Sequence, residues 1–323
     1  MGKIIKVYEN GGSDKLLFEE IDVPIPKNDE VVIRQSYSGL NLIDTYQRSG
    51  LYPLPLPSVL GSEGAGKIYS VGKNVKGLKP GDSVTYILSI GSYSEYKVIA
   101  ADKVVKLPKE VSEKQAAGMM LKGCTVQYLM KQTYQILPGD TVLIHAAAGG
   151  VGLIACQWAK HLGATVIGTV GSEEKAAIAK QNGCDYPIVY SKEDFVPIVM
   201  DITKGKKLPV VYDSVGKDTL INSMDCLKPR GLLVSYGNAS GAPPMIDVLT
   251  LMQKGSIFLT RPNLAHYILD RKSILKMSED LFSVVINNAV KISIDQLYDI
   301  EKVNKAHEDI ENRITTGSTV LKF

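Results

Sequence analysis

The stretch "TVLIHAAAGGVGLIACQWAKHLG" (141–163) constrains the fold more than any other. "TVLIHA" (141–146) has the apolar run of a buried strand. The helix that follows carries Val151, Ile154, Ala155, Trp158 and Leu162 at helical spacing, and Gly163 stops it. A strand that passes through a glycine turn into an amphipathic helix needs a partner strand beyond the helix, and the sequence supplies a series of them. "ATVIGTV" (164–170), "YPIVY" (186–190), "LPVVYDSVG" (208–216), "GLLVSYGN" (231–238) and "SIFLT" (256–260) read as strands. Between the first of them stand the helical segments 172–183, with Ser172 as N-cap, and 191–205, which Pro197 interrupts. This alternation predicts an α/β domain of the Rossmann type, a doubly wound parallel sheet with right-handed crossovers.

Before residue 120 the pattern differs. "EVVIRQSYSGL", "AGKIYSVG", "DSVTYIL" and "EYKVIAADKVVKLP" are short strands separated by turns such as "KPGD" (79–82), so this part reads as mainly β. A long helix is expected at about 271–289, and the pairing of the tail is not legible locally. With 323 residues the chain is long enough for two domains and a sizeable core. Net charge is +3, without basic clusters, which gives no reason to expect nucleic acid. No apolar run approaches the roughly 20 residues of a membrane span, and "MGKIIKVYENGG" lacks the layout of a signal peptide. Cys124, Cys156, Cys184 and Cys226 lie far apart and fit buried thiols in a reducing cytoplasm. The four histidines, His145, His161, His266 and His307, read as structural or surface residues.

The turn between strand and helix is a dinucleotide-binding turn. Gly149 and Gly150 let the main chain approach a pyrophosphate, and the N–H groups of Gly150, Val151 and Gly152 at the helix start attract the anion. Gly152 lets the helix pack closely on its strand, while Ala147 takes the place of the first glycine. The end of the second strand decides which dinucleotide binds. Val170, Gly171 and Ser172 stand where an NAD site has its acid, so a 2′-phosphate is favoured, with Ser172 and Lys175 in reach. Ser214, Tyr236 and Asn238 fall at the carboxyl ends of later strands, where such sheets bind ligands.

Taken together, "SGLNLIDTYQRSGLYPLPLPSVLGSEGAG", "HAAAGGVGLIACQWAKHLGA", "VVYDSVG", "VSYGNASG" and "ENRITTGS" resemble the NADPH:quinone oxidoreductases over nearly the whole chain. These form the zinc-free, zeta-crystallin-like branch of the medium-chain dehydrogenase/reductase superfamily. The resemblance implies a GroES-like catalytic domain (1–122, completed by 263–323), a Rossmann NADPH domain (123–262), and homodimers. It implies Asn41, Tyr46 and Tyr52 in the nicotinamide and quinone pocket, with Asn41 also touching the cofactor. Tyr128 and Gly149 to Gly152 would lie near nicotinamide and pyrophosphate, and Gly171, Lys175, Tyr190 and Arg313 about the 2′-phosphate. Where zinc-dependent relatives have metal ligands, this chain has Asn41, Ser62 and about Leu121, so no metal is expected. Beside them Lys122 would supply either positive charge or a structural salt bridge. The expected activity is zinc-independent transfer of hydride from NADPH to a small-molecule quinone. The alternatives are reduction of activated alkenes such as enals and enones, or NADPH binding without catalysis. Neither a nucleic-acid nor a membrane partner is expected, and the location expected is cytoplasmic.

Overall fold

The computed structural model describes residues 1–323, which form two compact units. The first comprises Met1–Cys124, Leu269–Ile286 and Ile292–Phe323; the second comprises Thr125–Ile268 and Asn287–Lys291. In chain order the elements are β1 (Gly2–Val7), β2 (Leu17–Ile21), β3 (Glu30–Leu40), α1 (Leu42–Ser49), β4 (Ser58–Val59), β5 (Glu63–Val71), β6 (Ser83–Ile87), β7 (Tyr96–Ala100), β8 (Val105–Lys106) and α2 (Glu113–Tyr128). Next come β9 (Thr141–Ile144), α3 (Gly150–His161), β10 (Thr165–Val170), α4 (Glu173–Gln181), β11 (Tyr186–Val189), α5 (Phe195–Ile202), β12 (Leu208–Asp213), α6 (Leu220–Asp225), β13 (Leu227–Ser235), α7 (Val248–Gln253) and β14 (Phe258–Thr260). The chain ends with α8 (Arg271–Ile286), β15 (Ile294–Asp299), α9 (Val303–Glu311) and β16 (Ser318–Lys322).

The second unit holds a six-stranded sheet in the order β11-β10-β9-β12-β13-β14, parallel throughout. Counted from β9 this is 3-2-1-4-5-6, the doubly wound order whose direction reverses between β9 and β12. Leu143, Ile167, Val211 and Leu233 from the sheet pack with Phe195 and Val199 of α5 and Leu220 and Met224 of α6. Pro197 is the third residue of α5, where the backbone N–H has no intrahelical partner, so the ring removes no helical bond.

The first unit is built on the eleven-residue β3. One edge of β3 pairs antiparallel with β5. Its other edge is shared between β7, over Glu30–Arg34, and β16, over Tyr37–Leu40. The core includes Val31, Ile33, Ile68, Val84 and Tyr86, with a second cluster of Ile5, Leu40, Leu60, Tyr93, Val303 and Ala306. Three helices depart from the reading by apolar period. In α1 the buried residues are Asp44, Thr45, Gln47 and Arg48, so its inner face is polar and apolar spacing gives no signal. In α2 Ala116, Ala117, Met119, Met120, Cys124 and Val126 are all buried, which leaves no amphipathic period. In α9 His307 and Asp309 are among the inward residues.

The polar inner face of α1 meets α9 through a hydrogen-bonded chain. Arg48 Nη1 donates to His307 Nδ1 at 3.1 Å, which makes Nε2 the protonated nitrogen of that ring. Nε2 lies 3.1 Å from the Tyr93 hydroxyl, which donates to Asp44 Oδ2 at 3.0 Å. Arg48 also pairs with Glu311 at 2.6 Å. Burial and the adjacent Arg48 push the His307 pKa down to about 3, so the ring is neutral. Burial raises the Asp44 pKa to about 7, against the hydrogen bonds from Asn41 N and Tyr93. The nearby Glu63 adds to the rise and Lys122 opposes it.

Below about pH 4 Asp44 is protonated in both folded and unfolded chains. From there to about pH 7 only the folded form keeps the proton, so this group's contribution to stability falls by up to ~1.4 kcal/mol per pH unit. His307 acts oppositely, adding stability above its unfolded pKa near 6.5 and losing it as the pH drops toward 3. Asp44→Asn keeps His307 and removes only the first effect. The stability of Asp44→Asn relative to wild type, from urea unfolding, should rise between about pH 4 and pH 7 and then level. A difference independent of pH would mean that Asp44 is ionised throughout.

Candidate active site

The turn after β9 is set by sterics. Ala146 adopts φ 54°, the left-handed region, and its carbonyl accepts from Gly149 N at 2.9 Å. A Cβ at Gly152 would lie 2.2 Å from Ala146 O and 2.7 Å from the carbonyl carbon of Ala147, so only glycine fits. Ala147 is fully buried, and a Cβ on Gly168 of β10 would lie 2.7 Å from the Ala147 methyl. The methyl that replaces the first glycine is therefore accommodated by a glycine on the neighbouring strand. Leu153 N is bonded to Gly149 O, so the preceding N–H groups at Gly150, Val151 and Gly152 lack intrahelical acceptors and suit an anion.

At the tip of β10 no carboxylate occupies the strand end. Gly171 has open space where a side chain would be. Ser172 caps α4, accepting from Lys175 N at 3.3 Å, and Lys175 is half-buried one turn into the helix. Glu173 turns outward to Lys192 at 2.8 Å, and the Ser172 hydroxyl hydrogen bond holds the Glu174 carboxyl below its usual range. Tyr190 is tied in by Tyr190 N to Val170 O at 3.1 Å, and Ser191 Oγ donates to Gly171 O. The structure thus brings Gly171, Ser172, Lys175 and Tyr190 together. Arg313 belongs to the other unit, exposed just past α9 with φ 59°.

Ser214 and Tyr236 directly follow β12 and β13. Tyr236 N donates to Asp213 O at 2.8 Å, Ser214 Oγ to His145 O at 3.4 Å, and Ala239 N to Ser214 O. Asn238 lies in the same loop, where Gly237 is required because a Cβ would meet Ser214 O at 2.4 Å. Two residues to which the sequence reading gives no role organise this end of the sheet. Buried Asp213 accepts from the backbone N–H groups of Val215 and Gly216 and from the hydroxyls of Thr219 and Ser223. Arg261 donates to Ser235 Oγ and Gly237 O. Beneath the turn, His145 bonds Thr169 at 2.7 Å and Ser223 at 2.9 Å, and burial lowers its pKa, so it is a neutral strut. Tyr128 stacks on Tyr267 with centroids 4.3 Å apart, and burial raises its hydroxyl pKa.

In the first unit, Asn41 is the N-cap residue of α1, and its N–H donates to Asp44 Oδ2 at 2.9 Å. Tyr46 lies on α1 and Tyr52 just beyond it, their rings edge-on at 5.4 Å, with Tyr52 N bonded to Tyr46 O. Asn41 Nδ2 donates to fully buried Glu63, which also pairs with Lys122 at 3.3 Å. The sequence matched Gly61-Ser62-Glu63 to the Gly-His-Glu of zinc-dependent relatives but gave Glu63 no role of its own, although an acid at the head of an apolar strand is a signal in itself. No group of three or more His, Cys, Asp or Glu side chains is placed to hold a metal ion. No helix is long and apolar enough to cross a membrane.

Two family models match the chain: the alcohol dehydrogenase GroES-like domain over residues 27–109 and the zinc-binding dehydrogenase over residues 150–277. A quinone oxidoreductase of Pseudomonas aeruginosa is 49% identical over 99% of both chains. The crystal structure of Escherichia coli quinone oxidoreductase complexed with NADPH superimposes with a TM-score of 0.97 at 46% identity, covering 99% of this chain and 100% of that one. A 2-haloacrylate reductase from Burkholderia is 44% identical, covering 98% of this chain and 97% of its own length. With a GroES-like unit joined to a doubly wound nucleotide-binding unit, and relatives this similar end to end, the chain belongs to the quinone oxidoreductase family of the medium-chain dehydrogenase/reductase superfamily.

Proposed function

We infer that the protein is an NADPH-dependent quinone reductase that works without a metal. The observation that carries this is the side-chain chemistry at the three positions where zinc-dependent relatives hold their ligands. Asn41 is bonded to Glu63, Ser62 is a fully buried hydroxyl and Leu121 is aliphatic. None of these is a good zinc ligand, Glu63 already faces Lys122, and Asp44 already accepts from Asn41 N and Tyr93. An acceptor here receives no Lewis-acid polarisation, which suits a ring as electron-poor as a quinone.

NADPH supplies the hydride, and the protein supplies grip, orientation and shielding from water. Gly149, Gly150, Val151 and Gly152 hold the pyrophosphate. Gly171, Ser172, Lys175 and Tyr190, joined by Arg313, take the 2′-phosphate, because a guanidinium can contact two phosphate oxygens. Tyr128, Ser214, Tyr236 and Asn238 border the nicotinamide, and Asn41, Tyr46 and Tyr52 line the acceptor pocket. In this reading residues 1–122 with 263–323 are the catalytic domain and 123–262 the cofactor domain. The cytoplasm is the compartment in which four buried, unpaired thiols stay reduced.

A second reading, reduction of an activated alkene, is favoured by the similarity to 2-haloacrylate reductase. NADPH oxidation followed with 1,4-benzoquinone, 9,10-phenanthrenequinone and 2-hexenal, in the presence of chelator, separates the two. Quinones should turn over fastest, and rapid turnover of hexenal alone would select the second reading. Lys175→Glu with Arg313→Glu should raise KM for NADPH by at least about 100-fold while moving KM for NADH by less than about threefold. Equal effects on both cofactors would contradict the phosphate assignment.

The protein is taken to be a homodimer joined at the open edge of the six-stranded sheet. β14 pairs with β13 on one side, ends the strand order, and exposes Phe258 and Leu259. Val248, Leu249 and Met252 of α7 add further exposed apolar surface, and an edge of this kind invites a second strand. Sedimentation should give twice the chain mass for wild type and the single chain mass for Phe258→Asp with Val248→Asp. A monomeric wild type would refute the dimer.

A further inference from the structure

Glu63 opens β5 and has no solvent exposure. Its Oε1 accepts from Asn41 Nδ2 at 2.8 Å and Lys122 Nζ at 3.3 Å, and its Oε2 accepts from Leu121 N at 2.6 Å. These donors come from the head of α1 and the middle of α2, so one carboxylate links three elements. The space around it is tight: a Cβ at Gly39 would lie 2.3 Å from Glu63 Oε1 and 2.2 Å from Ala117 O. Lys122 also donates to Leu40 O, the residue before Asn41. Asn41 is therefore held twice, by its backbone N–H on Asp44 and by its side-chain amide on Glu63.

A buried carboxylate needs charge and donors in place of water. Here one cation and two N–H donors supply them, and Asn41 is one of the two. Because α1 begins at Asn41, carries Tyr46 and leads to Tyr52, displacing this amide moves all three side chains. We propose that Glu63 is a positioning residue for the reaction: it fixes the amide of Asn41, and with it the head of α1, against the acceptor pocket, while Lys122 balances its charge. This rests on the reading of Asn41, Tyr46 and Tyr52 as pocket residues. Glu63 itself touches neither acceptor nor cofactor, and acts through Asn41.

A polarity swap tests it. Asn41→Asp sets two carboxylates at hydrogen-bond distance and should lower kcat/KM for 1,4-benzoquinone by at least about 100-fold. Glu63→Gln alone weakens the grip on Asn41 and should cost about tenfold. The double variant restores the hydrogen bond with donor and acceptor exchanged and leaves the net charge of the pair unchanged. It should return to within about tenfold of wild type, a coupling of at least about 100-fold. Melting temperature and the NADPH dissociation constant, from fluorescence titration, are read on the same four proteins. Losses that simply multiply in the double variant overturn the proposal. So does coupling in melting temperature with none in kcat/KM, which would mark the contact as structural only. If Asn41→Asp does not fold, Asn41→Ala takes its place. Glu63→Gln should then lower kcat/KM no further, and an added loss of about tenfold overturns the proposal. A wild type that reduces enals but not quinones refutes the quinone reading alone, and the cycle is then run with 2-hexenal.

Discussion

A carboxylate withdrawn from water must find donors or lose its charge, and in this protein that requirement organises both units. Glu63 gathers Asn41, Leu121 and Lys122, so the head of α1 and the middle of α2 converge on the start of β5. Asp213 does the equivalent at the end of β12, gathering two backbone N–H groups and the hydroxyls of Thr219 and Ser223. Asp44, a few ångströms along from Asn41, meets the same demand less completely. Its Oδ1 has no hydrogen-bond partner, and its pKa rises accordingly. The three acids thus show three degrees of compensation for one desolvation cost.

The nucleotide-binding unit was largely legible in the sequence because its signals are local. Most strands hold a short apolar run, α4, α5 and α7 start at side-chain caps, and Gly152 is required by contacts within a few residues. Ser172 is N-cap in both the reading and the structure, and Gly152 is required for the close packing its position suggests. What was not legible there is Asp213, because an acid at the end of a strand looks like any loop acid until the donors around it are seen. Gly168 is similar: it reads as one small residue in a strand, yet it makes room for the Ala147 methyl just past the end of the neighbouring strand.

The first unit was less legible, for two physical reasons. Pattern reading assumes that the inward face of a helix is apolar, whereas α1 and α9 turn Asp44, Arg48 and His307 inward, linked through Tyr93, together with Asp309, which accepts from Tyr298. In addition its strands pair across the whole length of the chain, and no local feature of "STVLK" reveals that its partner is the segment Tyr37–Leu40. For the site, Asn41, Tyr46 and Tyr52 came from resemblance, and their mutual geometry came only with coordinates. Glu63 was placed by its motif but given no role, because its importance lies in what it is bonded to.

The pairing of β16 with β3 also bears on how the molecule is made. A ribosome emits β3 well before β16, so the seven-stranded sheet closes only after every strand of the doubly wound sheet has been made. The doubly wound sheet, by contrast, is complete once β14 has emerged, and its neighbours in space are mostly neighbours in sequence. During synthesis the half-finished first unit carries an unfilled edge at Tyr37–Leu40, next to Asn41. The segment proposed to line the acceptor pocket is therefore among the later ones to acquire its final surroundings.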